Sequence, residues 1–346
     1  MPAGISVIIC CYNSAERIRP TLEHLCLQQE MLMSEWEVIL IDNASTDSTA
    51  ATATEIWNNL PGEQPAFKII AEPVPGLSAA RKAGIEAAVF DYVLFCDDDN
   101  WLDKNYLANG LKIMRSNPAI GALGGTGNPV FETTEPPYFW ESQYHVLAVG
   151  KQSSIEGDIT EERGVLYGAG MILNKMAYLD LRKNYSFEFL VSDRIGNLLI
   201  SSGDHELCLA LIRIGYRIYY SQTLQFQHYI PQNRTSIGYY KRLFLGFGVS
   251  YALLHVYRIK KGELNSQQND YRYICSRSLK TIIALRLKLL LSGFPFRADK
   301  YKFVDDLHRL YSNIGIFMTL IKTKNKFKQQ FIEERLFREG SNTNNS

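Results

Sequence analysis

The sequence predicts an α/β fold with a mostly parallel central sheet, flanking helices and a basic, helical C-terminal region. Two observations lead to this prediction. Four short apolar runs rich in Val and Ile alternate with segments of helical periodicity in the first hundred residues, and the chain changes from acidic to basic near residue 230. A chain of 346 residues with 46% hydrophobic content can bury a substantial core.

The four apolar runs are ISVIICC (5 to 11), EVILID (37 to 42), FKIIAE (67 to 72) and DYVLFCD (91 to 97). They do not alternate apolar with polar residues, which is typical of strands that are buried on both faces. Ile18, Leu22 and Leu25 have helical spacing, and Ser78 is expected to cap a helix over residues 79 to 90. Alternating strands and helices predict right-handed crossovers and a parallel sheet, as in the nucleotide-binding half of a larger domain.

Two glycine-containing segments are expected to add strands after a further helix around residues 107 to 114. GALGGTGNPVF (121 to 131) predicts a strand that leads into a Gly-rich turn. YGAGMILN (167 to 174) predicts a second strand that is broken by glycine.

The segment from 201 to 220 predicts a helix followed by a strand. Ser201 or Ser202 is expected to cap the helix, and Gly215 is expected to end it. Asp204 then falls in the first turn, where the helix dipole favours a negative charge. A carboxylate at this position is either a plain partner of the dipole or a catalytic base, and the segment alone favours the first.

Polar residues follow each of the four apolar runs. They are Tyr12 and Asn13, Asp42 and Asn43, Glu72, and the three aspartates 97 to 99. A polar residue at one strand end is an ordinary loop residue. Because the carboxyl ends of parallel strands meet at one edge of a sheet, four such ends together predict a ligand site.

Asp97, Asp98 and Asp99 form the most acidic stretch of this edge. Like charges so close together repel one another, which predicts a bound cation. Carboxylate oxygens suit Mg²⁺ or Mn²⁺, and magnesium completes its shell with water and substrate phosphates. A solvated acidic turn or a structural calcium loop is the alternative, although the Gly and distal Glu of an EF-hand are absent. The sequence therefore predicts a divalent cation that holds a nucleotide diphosphate.

Five motifs in order resemble those of the family 2 glycosyltransferases of bacterial glycan assembly, which have the GT-A fold, Rossmann-like in its nucleotide-binding part. They are SVIICCYN, VILIDNASTDST, PGLSAARKAGI, VLFCDDDNWLDKNYL and GDHELCLALIRIGY. The resemblance covers about residues 5 to 235, which is two thirds of the chain. Each motif alone is weak, and their order and spacing make the resemblance specific.

The resemblance implies positions for the sugar nucleotide. Tyr12 would lie beside the nucleobase, and Asp42 and Asn43 would contact base and ribose. Arg81 would reach the diphosphate. Asn43 stands where a second Asp is common in the family, and Lys82 where Asn is usual, so the identity of the base stays open.

The resemblance also implies the chemistry of transfer. Asp97 and Asp99 match the DxD motif that binds the metal, and Asp98 would contact the ribose. Asp204 would be the general base of an inverting transfer, since it matches the second acidic motif of the family. Gly203 departs from that motif, where Glu is usual.

Three further residues of the matching region each have alternative roles. Some enzymes of this fold use a histidine as a metal or phosphate contact, and His228 is the candidate here, with a purely structural histidine as the alternative. Arg234 could pair with phosphate. Trp140 is either a platform for a sugar ring or a core aromatic.

The charge distribution predicts an anionic partner for the C-terminal region. Residues 1 to 230 have a net charge of −12 and residues 231 to 346 one of +13. The apolar segment 281 to 296 contains Arg286 and Lys288 and is too short to span a bilayer. A helix lying at the surface of an anionic membrane is predicted, and a helical appendage with a solvated basic face is the alternative. No nucleic-acid-binding module accompanies the positive charge.

The predicted organisation is a GT-A catalytic domain over residues 1 to 234, a helical basic region over 235 to 340 and a disordered tail over 341 to 346. Six cysteines without CxxC pairs and an N-terminus unlike a signal peptide predict a cytoplasmic protein, peripheral on the inner membrane if the tail binds lipid.

The predicted reaction moves a sugar from a UDP-, dTDP- or GDP-sugar to a glycan or lipid-linked acceptor, with Mg²⁺ or Mn²⁺. A nucleotidyltransferase and an inert sugar-nucleotide-binding protein are the alternatives.

Overall fold

The computed structural model describes residues 4–133, 135–191, 199–258, 270–291 and 299–323. These residues divide into two compact units. The described residues of the first unit all lie before residue 233. The second unit follows from residue 233 and also includes residues 136–143 and 199–202.

The strands of the described residues all lie in one sheet. They are β1 (Ile5–Cys11), β2 (Trp36–Asp42), β3 (Ala66–Ala71), β4 (Tyr92–Asp97), β5 (Asn100–Leu102), β6 (Ile120–Phe131), β7 (Gly157–Asp158), β8 (Ile172–Asn174) and β9 (Arg217–Ile230). Their order across the sheet is β3-β2-β1-β4-β8-β6-β9-β5, and β7 pairs with β9 outside this path. The predicted mixed α/β architecture is confirmed.

The first four strands form the parallel part of the sheet. β2 and β4 flank β1, and β3 pairs with the outer side of β2. Cys11 is in register with Asp42, and Cys10 with Asp97. The polar residues that follow these strands therefore emerge at one edge, as the sequence predicts.

The second half of the sheet corrects one prediction. β8 runs antiparallel to β4, whereas β6 and β9 run parallel to each other. The predicted Gly-rich turn at 121 to 131 is wrong, because β6 continues through it to Phe131. Glycine serves close packing there, since a Cβ on Gly125 would lie 2.3 Å from the carbonyl oxygen of Leu224.

Helices cover the sheet at the positions that the sequence pattern indicates. The first unit contains α1 (Ile18–Cys26), α2 (Thr49–Asn58), α3 (Leu77–Ala87), α4 (Tyr106–Ser116), α5 (Lys175–Tyr185) and α6 (Gly203–Arg213). Ile18, Leu22 and Leu25 bury the inner face of α1 in a core shared with β1 and β2. Burial of each such side chain contributes about 1.5–3 kcal/mol.

The start of α3 differs from the prediction. Ser78 does not cap the helix, because α3 begins at Leu77 and Gly76 precedes it with a φ of 129°. The Ser78 hydroxyl is buried and donates to the carbonyl oxygen of Val191 at 2.9 Å. Ser78 therefore connects α3 to a distant part of the first unit.

The second unit is helical in its described part. It contains α7 (Ile237–Arg258), α8 (Tyr271–Leu291) and α9 (Lys300–Lys322), and both α7 and α8 pack on α9. Trp140 belongs to this unit, is buried and stacks on Tyr240 with ring centroids 4.3 Å apart, so it is a core aromatic. No helix in the described part of the chain is both long and apolar enough to cross a membrane. The tail predicted over 341 to 346 lies outside the described residues.

Candidate active site

The loops after β1 and β2 are joined to each other by hydrogen bonds. Asn13 and Ala44 have left-handed backbones, with φ of 50° and 57°. Asn13 accepts from the backbone N–H of Thr46 at 2.8 Å through Oδ1, and its own N–H donates to Ser45 Oγ at 3.0 Å. Asn tolerates this conformation well, whereas Ala adopts it at a cost of about 1 kcal/mol or more. The surrounding contacts hold both loops in one arrangement.

Tyr12 and Asp42 end the two strands at this edge. Tyr12 is 56% exposed, and its backbone carbonyl accepts from Arg17 Nη2 at 2.9 Å. Asp42 accepts from the backbone N–H of Ser45 at 3.3 Å. The exposed ring of Tyr12 can pack against a planar ligand.

Asn43 uses its side-chain amide to hold the chain that leads into α3. Its Nδ2 donates to the carbonyl oxygens of Glu72 and Val74 at 3.1 and 2.6 Å, and its Oδ1 accepts from the Gly76 N–H at 2.8 Å. Carbonyl oxygens can only accept, so a carboxylate could not replace this amide. The Asn at this position thus fits a loop contact that an Asp could not make.

Asp98 is buried and paired within the protein. Its Oδ2 accepts from Ser14 Oγ and from Arg17 Nε, the latter at 2.8 Å. Burial raises the pKa of Asp98, as does the charge of Asp99, while Arg17 and Ser14 act in the opposite direction. No local pattern in the sequence indicates Ser14 and Arg17, since the two residues contact Asp98 only through the fold.

Asp99 and His228 meet because β5 and β9 are paired. His228 is in register with Asn100, and the backbone N–H of Tyr229 donates to the Asp99 carbonyl at 2.9 Å. His228 Nε2 lies 3.4 Å from Asp99 Oδ1, and both side chains are buried. Asp97 is partly exposed at the end of β4. Two of the three predicted metal ligands are thus in contact.

Carboxylate oxygens and an imidazole nitrogen are suitable ligands for Mn²⁺, and the oxygens for Mg²⁺. Within the described residues, no three side chains of His, Cys, Asp or Glu come close enough together to hold a metal ion by themselves. Magnesium is commonly bound by one or two carboxylates with substrate phosphates in the remaining positions. The Asp99 and His228 pair with Asp97 nearby fits a cation that shares its ligands with a diphosphate.

Arg81 lies in the interior of the site, against Gly168. Its guanidinium is 5.1 Å from the ring centroid of Phe95 on β4. A Cβ added to Gly168 would lie 2.1 Å from Arg81 Nη2, so only glycine leaves room for this side chain. The sequence marks 167 to 174 as glycine-rich, but the contact with Arg81 is visible only in the fold.

Asp204 contacts the same glycine. Its Oδ2 accepts from the Gly168 N–H at 2.5 Å, and its Oδ1 from the His205 N–H at 2.8 Å. The Gly170 N–H donates to the carbonyl of Phe95 at 2.9 Å, two residues before Asp97. Asp204 is therefore attached to the carboxyl end of β4 through a short glycine-containing segment. Two backbone donors and the first turn of α6 fix the orientation of its carboxylate.

Glu206 is a further polar residue of α6 that the sequence did not single out for a role. It is fully buried and accepts from the backbone N–H groups of Leu190 and Val191 at 2.9 to 3.0 Å. Together with Ser78, Glu206 holds the backbone of Leu190 and Val191 between α3 and α6. Its position two residues after Asp204 makes it a support for this part of the site.

Two further features are Arg234 and a cavity of the first unit. Arg234 belongs to the second unit, in a 3-10 helix over Gln232–Thr235. A cavity of about 440 Å³ is lined by α4 and by residues that precede β2, including Glu35 and Arg115. It opens at the amino-terminal edge of the sheet, so it is not part of the candidate site.

The comparisons with known proteins agree with this architecture. The sequence model described as Glycosyl transferase family 2 matches residues 6–180. A poly-β-1,6-N-acetyl-D-glucosamine synthase of Staphylococcus epidermidis is 32% identical over 127 residues, which cover 36% of this chain and 28% of that protein. A poly(ribitol-phosphate) β-glucosyltransferase of Bacillus spizizenii is 26% identical over 208 residues, covering 54% of this chain and 32% of that protein. This chain thus spans less than a third of the length of either relative.

Among solved structures, a mannosyltransferase from Pyrobaculum calidifontis in complex with GDP-Man and Mn²⁺ has a similar fold. Its TM-score is 0.61 at 16% sequence identity, and the alignment covers 91% of this chain and 86% of that one.

Proposed function

Because this chain belongs to glycosyl transferase family 2, we propose that it transfers a sugar from a nucleoside diphosphate sugar to an acceptor hydroxyl, with inversion at the anomeric carbon. The observation that carries the proposal is the position of Gly168. Its N–H holds the carboxylate of Asp204, and its Cα leaves room for the guanidinium of Arg81. The carboxylate proposed as the base and the guanidinium proposed to bind the diphosphate thus both lie beside Gly168.

The donor is proposed to lie across the carboxyl ends of β1, β2 and β4. Tyr12 packs on the base, which is supported by its exposed ring at the end of β1. Asp42 and Asp98 contact base and ribose, and Asn43 acts by shaping the loop through its three hydrogen bonds. The donor is a UDP-, dTDP- or GDP-sugar, and the mannosyltransferase of similar fold was solved with GDP-Man.

The diphosphate is proposed to contact Arg81 and the metal site of Asp97, Asp99 and His228. A divalent cation at that site would act as a Lewis acid that stabilises charge on the departing nucleoside diphosphate. The protein itself contributes Arg81, which is already buried in position and so needs no further ordering when charge develops.

Asp204 is proposed to take the proton of the acceptor hydroxyl. The acceptor oxygen then forms a bond with the anomeric carbon while the bond from that carbon to the diphosphate oxygen breaks. A general base of this kind contributes about 10²–10⁴-fold to the rate. The backbone donors of Gly168 and His205 keep the carboxylate of Asp204 from rotating.

The acceptor is proposed to be a growing glycan or a lipid-linked sugar, since the names of the two relatives refer to polymers of a sugar and of ribitol phosphate. A lipid-linked acceptor would be reached by peripheral contact with the cytoplasmic face of the inner membrane. The basic second unit supports such a contact. We propose no role for nucleic acid.

Two alanine variants test these roles. Asp99→Ala is expected to abolish transfer and to weaken binding of nucleotide sugar with Mn²⁺, whereas Asp204→Ala abolishes transfer and leaves donor binding intact. A panel of nucleotide sugars with Mn²⁺ first identifies the donor, because a ligand at 100 times its dissociation constant adds roughly 2.7 kcal/mol to stability in thermal melts. Glu161→Ala, at a side chain that is 93% exposed, serves as the matched control.

The products decide between glycosyl transfer and the other possible reactions. Glycosyl transfer releases a nucleoside diphosphate, and NMR of the product reports inversion at the anomeric carbon. Release of pyrophosphate would indicate nucleotidyl transfer instead. Full transfer activity in Asp204→Ala would contradict the role proposed for this carboxylate.

A further inference from the structure

Helix α8 exposes large apolar side chains along one face. Leu279, Ile283, Leu287 and Leu290 follow one another at spacings of four, four and three residues, which places them on one side of a helix. Leu287 is 55% exposed and Leu290 78% exposed. We call these four residues the apolar face of α8.

The opposite side of α8 is already covered. Ile282 and Leu285 are buried against Leu310 of α9, and Lys288 forms an ion pair with Asp306. The helix therefore has its packing partner on one side, and the apolar face is not needed to attach α8 to the second unit. Leucine exposed to this degree along a whole helix face is typical of a surface that binds a partner.

The charges of α8 define what that partner is. The helix contains five basic residues and no Asp or Glu. Arg277, Lys280 and Arg286 are exposed around the apolar face. A second copy of the chain would present the same positive charges, so the two copies of α8 would repel each other. A protein partner is also disfavoured, because the cores of protein interfaces are depleted of Lys. An anionic lipid surface accepts apolar side chains and basic groups together.

We propose that the apolar face of α8 inserts into the interface of an anionic bilayer, with Arg277, Lys280 and Arg286 on the lipid phosphates. This inference rests on the proposed function in one respect, because a lipid-linked acceptor would require such a contact. Binding to lipid can still be measured by itself, because it needs neither the sugar donor nor the transfer reaction. It assigns to one helix face the membrane contact that the charge of the whole region suggests.

Sedimentation of the full chain with vesicles tests the proposal. Vesicles of equal parts phosphatidylcholine and phosphatidylglycerol are expected to bind the chain, whereas phosphatidylcholine alone binds it weakly, and added salt reduces binding. Combining Ile283→Ser, Leu287→Ser and Leu290→Ser should weaken partitioning by more than about tenfold. Arg277→Gln with Lys280→Gln should weaken it by about fivefold for each basic residue.

The controls separate this surface from general stickiness and from the catalytic site. Leu32→Ser with Met176→Ser changes two apolar side chains that are 67% and 53% exposed in the first unit, and vesicle binding should not change. Asp204→Ala should bind vesicles like the unchanged chain, and the α8 variants should still bind nucleotide sugar. Failure of transfer and failure of membrane binding are thus distinguishable.

Two results would overturn the proposal. One is equal binding of the unchanged chain and the triple serine variant to anionic vesicles. The other is that the unchanged chain forms a dimer and binds neither kind of vesicle, while the triple serine variant is a monomer. The variants are expected to fold because the substituted side chains are exposed, and circular dichroism checks this.

Discussion

Buried carboxylates at the two edges of the parallel sheet differ in how their charge is balanced by neighbouring groups. At the amino-terminal edge, Glu37 of β2 is buried and its oxygens accept from Ser6 Oγ, the Val89 N–H and Lys68 Nζ, all at 2.8 Å. Burial opposes ionisation, but these hydrogen bonds together with the charge of Lys68 outweigh it and lower the pKa of Glu37. The negative charge at this edge is balanced within the protein.

At the carboxyl-terminal edge the balance is incomplete. Burial and the neighbouring carboxylate of Asp99 raise the pKa of Asp98 even though Arg17 pairs with it. The fold thus disfavours ionised Asp98 at the edge where a cationic ligand is expected, and folding stability bears the cost. The comparison predicts that substitutions at the carboxyl-terminal edge change activity most, while those at the amino-terminal edge change stability alone.

Outside the proposed base and metal ligands, the largest effect is expected from Gly168→Ala. The new methyl group would lie 2.1 Å from Arg81 Nη2, so the guanidinium must leave its position. A displacement of a catalytic side chain by about 1 Å can lower the rate by about 10²-fold. We expect the transfer rate to fall by about that factor at saturating donor, while the urea midpoint changes little, because the flexible end of a side chain gives way.

A glycine with space around it provides the control for this variant. Gly238 in α7 has its nearest side-chain neighbour 4.0 Å from an added Cβ, so Gly238→Ala should keep full activity. Full transfer activity in Gly168→Ala would show that the position of Arg81 does not matter for the reaction. The comparison of the two edges would then lose its strongest support.

A smaller effect is expected from Asn43→Asp, which introduces the residue common in the family. The carboxylate would face the carbonyl oxygens of Glu72 and Val74, and both donated hydrogen bonds would be lost. Loss of these bonds with repulsion in their place should lower the free energy of unfolding by about 2–3 kcal/mol, measured in urea.

The same variant is also expected to change the kinetics of transfer. The loop from Glu72 to Gly76 leads into α3, which carries Arg81, so the KM for the donor should rise as well. Asn43→Ala removes the bonds without adding charge and should be less destabilising than Asn43→Asp. Equal stability of Asn43→Asp and the unchanged chain would contradict the role of the amide as a donor.

The parallel half of the fold could be predicted because its signals are local. Each apolar run is one strand, and the polar residues after it mark one edge whatever the details of packing. The predictions for Ser78 and for the glycines of β6 are wrong for the opposite reason, because the partners of these residues are distant in the chain. A serine before an apolar helix predicts a cap, and a glycine cluster predicts a turn. Here the serine hydroxyl instead donates to the carbonyl of Val191, and glycine instead allows close packing against Leu224.

The candidate site shows the same limit. Tyr12, Asp42 and the aspartates at 97 to 99 follow strand ends and could be found from spacing. Gly168 and Glu206 act through contacts with residues far away in the chain, so no local pattern reveals them. The partners of Asp98 are likewise apparent only from the fold, because Ser14 and Arg17 lie far from Asp98 in the chain.

The smallest effect is expected from Glu37→Gln at the amino-terminal edge. The amide keeps one acceptor but loses the ion pair with Lys68, which is 45% exposed, so stability at neutral pH should fall by about 1–2 kcal/mol. The folded-state pKa of Glu37 lies below its ordinary value of 4.5, so its stabilisation is complete above that pH and is lost as the pH falls through the folded value.

The difference between Glu37→Gln and the unchanged chain should therefore shrink in acid, which urea unfolding at a series of pH values measures. Glu23→Gln, in an exposed pair with Arg19 at 3.7 Å, should change stability by less than about 0.5 kcal/mol and serves as the control. Transfer by Glu37→Gln should equal that of the unchanged chain, since Glu37 lies at the edge opposite the candidate site. A loss of transfer as large as that of Gly168→Ala would mean that the two edges are coupled, because removal of a balanced charge at one edge would then disturb the ligand site at the other.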